Sequence, residues 1–161
     1  MRYQGCMLVV KDAQSSKAFY QELFGCVAEL DLGDYVVFRE GIMLQQEETW
    51  LGFTKLTRES LTYRNHVVEL YFEEAEFDAF VERLSSFPAA APLSPVAEQE
   101  WGQRSIRFHD PDGHVLEVGE DMKAVVKRFL KAGMSVEEAA ARSMYPVPFV
   151  ETCREELERE S

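Results

Sequence analysis

Arg107-Phe108-His109-Asp110-Pro111-Asp112-Gly113-His114-Val115-Leu116-Glu117-Val118 is the stretch on which the reading of this chain turns. Asp-Pro-Asp-Gly makes a tight turn for stated reasons: Pro111 fixes φ, the aspartates accept from backbone amides, and Gly113 supplies the positive φ that re-enters a strand. On either side, Ile106 and Phe108, then Leu116 and Val118, alternate with polar neighbours, so the stretch is predicted to be a β-hairpin.

Working outward, one pattern occurs twice. The first begins with the apolar run Cys6–Val10 and continues with Asp12 as a helix N-cap, Phe19 and Leu23 on one helical face, and Gly25 as the stop. Strands follow at Cys26–Leu30, Tyr35–Arg39 and Ile42–Gln46. The second begins at Val67–Phe72, and its helix carries Phe77, Phe80, Val81 and Leu84 on one face. After the proline-rich stretch 88–95 come strands near Val96–Glu100, Arg104–His109 and His114–Val118. The order β-α-β-β-β is thus predicted twice, over 1–46 and 66–120, with 47–65 as the link.

Strand alternation separates the two faces of these sheets. Cys6, Leu8, Val10, Ile42, Leu44, Leu70, Phe72, Ile106, Phe108, Leu116 and Val118 are expected on the helix side. Gly5, Met7, Val9, Met43, Gln45, Glu69, Tyr71, Ser105, Arg107, His109, Val115 and Glu117 are expected on the other. That second set is an apolar wall with a few polar points, the composition of a small-molecule site. Met7, Met43, Gln45, Glu69, Tyr71, Arg107 and Glu117 are the candidate ligand-binding residues.

The string from Trp101-Gly102 through Phe108, Asp-Pro-Asp-Gly and Leu116-Glu117 resembles the last hairpin of the vicinal-oxygen-chelate superfamily, which includes glyoxalase I, bleomycin-resistance proteins and extradiol dioxygenases. The resemblance extends to about residue 120. It implies an α+β fold in which two βαβββ modules form a curved mixed sheet around one cavity. It also implies four metal-ligand positions, commonly His and Glu, on the first and fourth strands of each module. Here those positions hold Gly5, Gln45, Glu69 and Glu117. Gly5 has no side chain to coordinate and Gln45 is a neutral, weaker donor, so the metal site is read as eroded. His66 lies three residues before Glu69, an odd step that points the two apart in a regular strand. His109 is read as a rim histidine, and His114 has the parity of the packed face.

Glu69 and Glu117 admit three readings. With Gln45 they could hold a divalent cation of the Mg or Mn type. They could instead hold a cationic ligand by charge-assisted hydrogen bonds. The third is a structural network in which Arg107 neutralises one of them.

Residues 121–161 are read as a C-terminal helical extension in three pieces. Val125, Val126, Phe129 and Leu130 form the first stripe, which ends near Gly133. Ser135 and Glu138 form a capping box for the second, and Phe149, Val150, Cys153 and Leu157 lie on one face of the third. The acidic last helix and a formal charge of −12 argue against nucleic acid and anionic membranes as partners. Three cysteines without metal-type spacing fit a reducing compartment, and no apolar run suggests a membrane span. The expected protein is a cytoplasmic, homodimeric glyoxalase/bleomycin-resistance-like binder of a small cationic or aromatic molecule. Alternatives are a divalent-metal-dependent lyase, isomerase or epimerase, and an interaction protein that uses its C-terminal helices.

Overall fold

A computed structural model describes residues 1–160 of the chain. It is an α+β protein, and the strands fall into two hydrogen-bonded sheets rather than one continuous sheet. The first contains β1 (Cys6–Val10), β2 (Ala28–Asp31), β3 (Tyr35–Phe38) and β4 (Ile42–Gln46) in the order β1-β4-β3-β2. β1 and β4 run parallel and the other pairs antiparallel. The second contains β5 (Glu69–Glu74), β6 (Ala91–Pro92), β7 (Ala97–Glu98), β8 (Arg104–His109) and β9 (Val115–Glu120), in the order β5-β9-β8-β6 with β7 paired to β8.

Two compact units emerge. One is Met1–Glu69 with Arg83–Ala91 and His109–Val115; the other is Leu70–Glu82, Pro92–Phe108 and the chain from Leu116 onward.

In the first unit, α1 (Ala13–Phe24) covers one face of the four-stranded sheet. Asp12 caps it through a 2.7 Å bond from the Ser15 amide, and Gly25 ends it at φ 69°. Phe19, Tyr20 and Leu23 are buried there with Leu8, Val10, Val36, Phe38 and Leu44. Each large side chain so placed contributes about 2 kcal/mol of transfer free energy. The connection after β4 is not featureless: it contains α2 (Glu47–Thr54) and a 3₁₀ turn at Arg58–Ser60. α2 packs on β1 and β4.

The Asp-Pro-Asp-Gly turn also belongs to the first unit. Asp110 Oδ1 accepts from the backbone amides of Asp112, Gly113 and His114 at 2.8–3.0 Å, and Gly113 has φ 95°. Asp110 Oδ2 receives the Tyr20 hydroxyl at 3.0 Å and His114 Nδ1 at 2.8 Å. Asp112 accepts from the Lys11 amide and the Ser16 hydroxyl, which ties the turn to the start of α1. The turn is therefore a buried polar anchor as well as a chain reversal.

In the second unit α3 (Phe77–Ser85) begins, with Phe77 and Phe80 buried. Three more helices follow: α4 (Met122–Lys131), α5 (Val136–Ser143) and α6 (Val147–Glu160). The capping box at Ser135 and Glu138 forms as expected. The apolar stripes close on one another: Met122, Val125, Val126, Phe129, Val136, Ala139, Ala140, Val150 and Cys153 make one core, with Trp101 against it. Glu120, 4% exposed, anchors this unit between Arg104 at 3.1 Å and Arg128 at 3.0 Å. Burial pushes its carboxyl up, but the two guanidiniums outweigh that and hold it below its ordinary range. No helix among the described residues is long and apolar enough to cross a membrane.

Candidate functional site: an aromatic pocket on the first sheet

Register decides which side chains share the face opposite α1. Met7 lies beside Met43 and Met43 beside Val37; one step on, Val9 lies beside Gln45 and Gln45 beside Tyr35. Cross-strand partners project to the same side, so these six line one face. α2 lies against this face, and a pocket of about 360 Å³ opens between them, lined by Met7, Leu32, Asp34, Tyr35, Gln45, Thr49, Trp50 and Phe53. This volume lies in the range of small-molecule sites. Leu32 and Phe53 are 64% and 70% exposed, more apolar surface than a closed core would leave in water.

The polar groups in the pocket are few and oriented. Gln45 donates through Nε2 to the Asp34 carbonyl at 3.0 Å. A carbonyl only accepts, so this bond fixes the amide and leaves its oxygen as the remaining acceptor. Thr49 donates its hydroxyl to Asp34 Oδ2 at 2.6 Å. Asp34 has no ion pair with a lysine or arginine among the described residues. It is the one ionisable carboxylate in a wall otherwise made of apolar, aromatic, amide and hydroxyl groups.

Of the seven residues expected to bind a ligand, Met7 and Gln45 line this pocket, and Met43 lies directly beside Met7 and accepts the Tyr35 hydroxyl at its sulfur, 3.3 Å away. Glu69, Tyr71, Arg107 and Glu117 lie on the second sheet. Arg107 Nη2 is 2.5 Å from Glu117 Oε2. Tyr71 accepts from Gln103 at 2.7 Å and donates to Glu73 at 2.9 Å. Its hydroxyl is pushed up to about 12 by burial and by Glu73, with Gln103 pulling the other way. Asp34, Tyr35, Thr49, Trp50 and Phe53 were not anticipated as pocket residues. Trp50 and Phe53 lie in 47–65, the link between the two repeats, and Asp34 lies between two of the predicted strands.

The four positions that the resemblance assigns to a metal can be tested as donors. Gly5 sits at φ 143°, and a Cβ there would lie 2.1 Å from the Gly41 carbonyl oxygen. The position therefore rejects any side chain, not only a ligating one. Gln45 offers only the neutral oxygen that its bond to the Asp34 carbonyl leaves open, and Glu117 is paired with Arg107, whose guanidinium supplies the positive charge a cation would bring. Among the described residues no three His, Cys, Asp or Glu side chains cluster as a metal centre requires. This donor set does not fit a divalent cation.

Histidine placement departs from expectation. His109 is 4% exposed, and its Nε2 lies 3.0 Å from Nε2 of His66. No spacing rule links two residues 43 apart in sequence.

Residues 3–123 match the glyoxalase-like domain model. No curated protein matches the chain. Among solved structures, a protein of unknown function from Agrobacterium tumefaciens str. C58 is 33% identical, with a TM-score of 0.64, covering 75% of this chain and 94% of that one. A glyoxalase/bleomycin resistance protein/dioxygenase family enzyme from Burkholderia phytofirmans PsJN shares the fold at 17% identity, with a TM-score of 0.64, covering 74% and 98%. A lactoylglutathione lyase from Agrobacterium tumefaciens, at 22% identity and a TM-score of 0.53, covers 74% and 93%. Helices α5 and α6 lie beyond the family match. With the doubled strand order, the Asp110–Gly113 turn and these matches in agreement, the chain belongs to the glyoxalase-like domain family.

Proposed function

We propose that this protein binds a small aromatic molecule bearing a cationic group in the pocket between α2 and the first sheet, without a divalent cation as intermediary. The observation that carries this reading is Asp34, a carboxylate without an ion-pair partner among the described residues, set in a pocket with Tyr35, Trp50 and Phe53. Aromatic faces attract a cation through the ring quadrupole, and the carboxylate accepts a charge-assisted hydrogen bond from it. The apolar walls supply area, while the Gln45 oxygen adds an acceptor that orients the bound group. The loss of a side chain at position 5 and the Arg107–Glu117 pair support binding that does not pass through a metal.

The test uses phenethylamine, a cation at neutral pH, against its neutral analogue 2-phenylethanol. Titrated into the protein and followed by NMR, the amine is expected to shift the Trp50 indole resonance and to bind more tightly than the alcohol. Asp34→Asn should weaken the amine about tenfold, the loss of one charge-assisted bond, and leave the alcohol unchanged. Equal binding of the two probes, or no effect of Asp34→Asn, would remove the cationic part of the proposal. If Trp50→Ala leaves both affinities unaltered, the pocket itself is wrongly chosen.

A further inference from the structure

Segment 61–66 crosses the Asp110–Gly113 turn, and both belong to the first compact unit. Three contacts hold it there. Tyr63 meets His114 edge-on with ring centroids 6.2 Å apart, the Arg64 side chain fills the space where a Cβ on Gly113 would go, and His66 meets His109. Tyr63 also donates its hydroxyl to Glu47 at 2.6 Å, and Arg58 pairs with Glu47 and Glu48. The segment is thereby tied to the first turn of α2, the helix that carries Thr49, Trp50 and Phe53. Arg64 and His66 both adopt left-handed backbone, φ 57° and 56°, where non-glycine residues are strained by about 1 kcal/mol or more each. Contacts made by the segment must offset this.

The two imidazoles meet head to head. With Nε2 atoms 3.0 Å apart and ring centroids 5.1 Å apart, the nitrogens lie between the rings. One Nε2 must donate and the other accept, so the rings hold opposite tautomers at that atom. Two neutral rings satisfy the bond and a singly protonated pair also does. A doubly protonated pair cannot, because both nitrogens would then be donors and both rings cationic. The groups bearing on His109 come from two sides. Arg64 and His66 from the segment disfavour its protonation, and Asp110 from the turn favours it. Burial is the largest influence, and with Arg64 and His66 it holds His109 below the ordinary histidine range. At the other end of the segment, Lys11 lies over the Tyr63 ring at 5.0 Å and 4.0 Å from Asp112.

We propose that the His66–His109 hydrogen bond is a proton-operated latch, which holds segment 61–66 on the Asp110–Gly113 turn at neutral pH and releases it in mild acid. The sign follows from linkage. The unlatched pair takes up one more proton than the latched pair, so the latched state is fully favoured above the ordinary histidine value of about 6.5 and loses ground as pH falls below it. Its opening should increase about tenfold between pH 7.5 and 5.5. This inference does not depend on what the pocket binds.

Hydrogen exchange read by mass spectrometry, corrected for intrinsic rates and run in EDTA, tests it. A peptide covering 55–66 is compared with a control covering 35–46. In the unaltered protein the first should lose protection about tenfold between pH 7.5 and 5.5, while the control keeps its own. His66→Ala should leave 55–66 open at both pH values. His66→Gln, which can still bond to His109 but does not titrate, should be equally protected at both. Retention of the wild-type pH dependence in either variant would overturn the latch. So would equal protection of 55–66 at the two pH values, or loss of protection in the control to the same extent, which would assign the effect to global unfolding.

Discussion

Gly5→His, the substitution that would return the family's imidazole to its place, is expected to destabilise the protein by about 4 kcal/mol and to create no metal site. Two costs add. The backbone at Gly5 sits at φ 143°, where a residue with a Cβ is strained, and the new Cβ would lie 2.1 Å from the Gly41 carbonyl oxygen. That oxygen accepts the Cys6 amide at 2.9 Å, so moving it also disturbs the point where β1 meets β4. Urea denaturation gives the stability change, and titration with Mn²⁺ or Zn²⁺ gives the binding. A variant as stable as the parent that binds metal would show that the first strand tolerates a ligand after all. Arg107→Met is the companion experiment. It removes the Arg107 partner of Glu117 without touching position 5, and should still not yield tight metal binding, since position 5 holds no donor and Gln45 offers only a neutral oxygen.

Asp110→Ala is expected to cost about 4 kcal/mol, the scale for removing one side of a buried charged network. It leaves the Asp112 and His114 amides, the Tyr20 hydroxyl and His114 Nδ1 without their acceptor, while the Gly113 amide keeps only the residue-110 carbonyl. Tyr20 is fully buried, so water cannot readily replace the carboxylate there. Asp110→Asn, which keeps one acceptor oxygen, should lose less. The pH dependence has a definite sign. Burial pushes Asp110 up, but the bonds from His114, the backbone and Tyr20 outweigh it and hold the carboxyl below the ordinary range. Its contribution is therefore complete above about pH 4 and is lost as pH falls through the depressed value. Denaturation of parent and Asp110→Asn should show a gap that is constant from pH 5 to 7 and closes in stronger acid. A gap that persisted below pH 2 would mean that the charge of Asp110 plays no part.

Strand parity placed Met7 and Gln45 on the face that proved to carry the pocket, and Met43 beside them. It could not supply Trp50 and Phe53. Their stretch, 47–65, is the link between the two repeats and shows no clear hydrophobic period. α2 forms where Glu47 and Glu48 open the first turn and β4 and β1 receive its face. Asp34 illustrates the same limit. It lies between two predicted strands, and its value as a pocket carboxylate depends on Thr49 and Gln45, which reach it from α2 and β4.

The amino-acid sequence by itself determined the order of strands and helices apart from α2 and β6, the ends of α1 at Asp12 and Gly25, the Asp110–Gly113 turn, and the capping box at Ser135 and Glu138. All of these rest on residues close together in the chain, which local propensity and hydrophobic period record directly. Only the tertiary structure decided which of the two carboxylates Arg107 meets, that Gly41 closes off position 5, and that His66 reaches His109. Those contacts depend on sheet register and on the path of a long connection. Both are settled by how the elements pack on one another, and no local pattern in the chain encodes them.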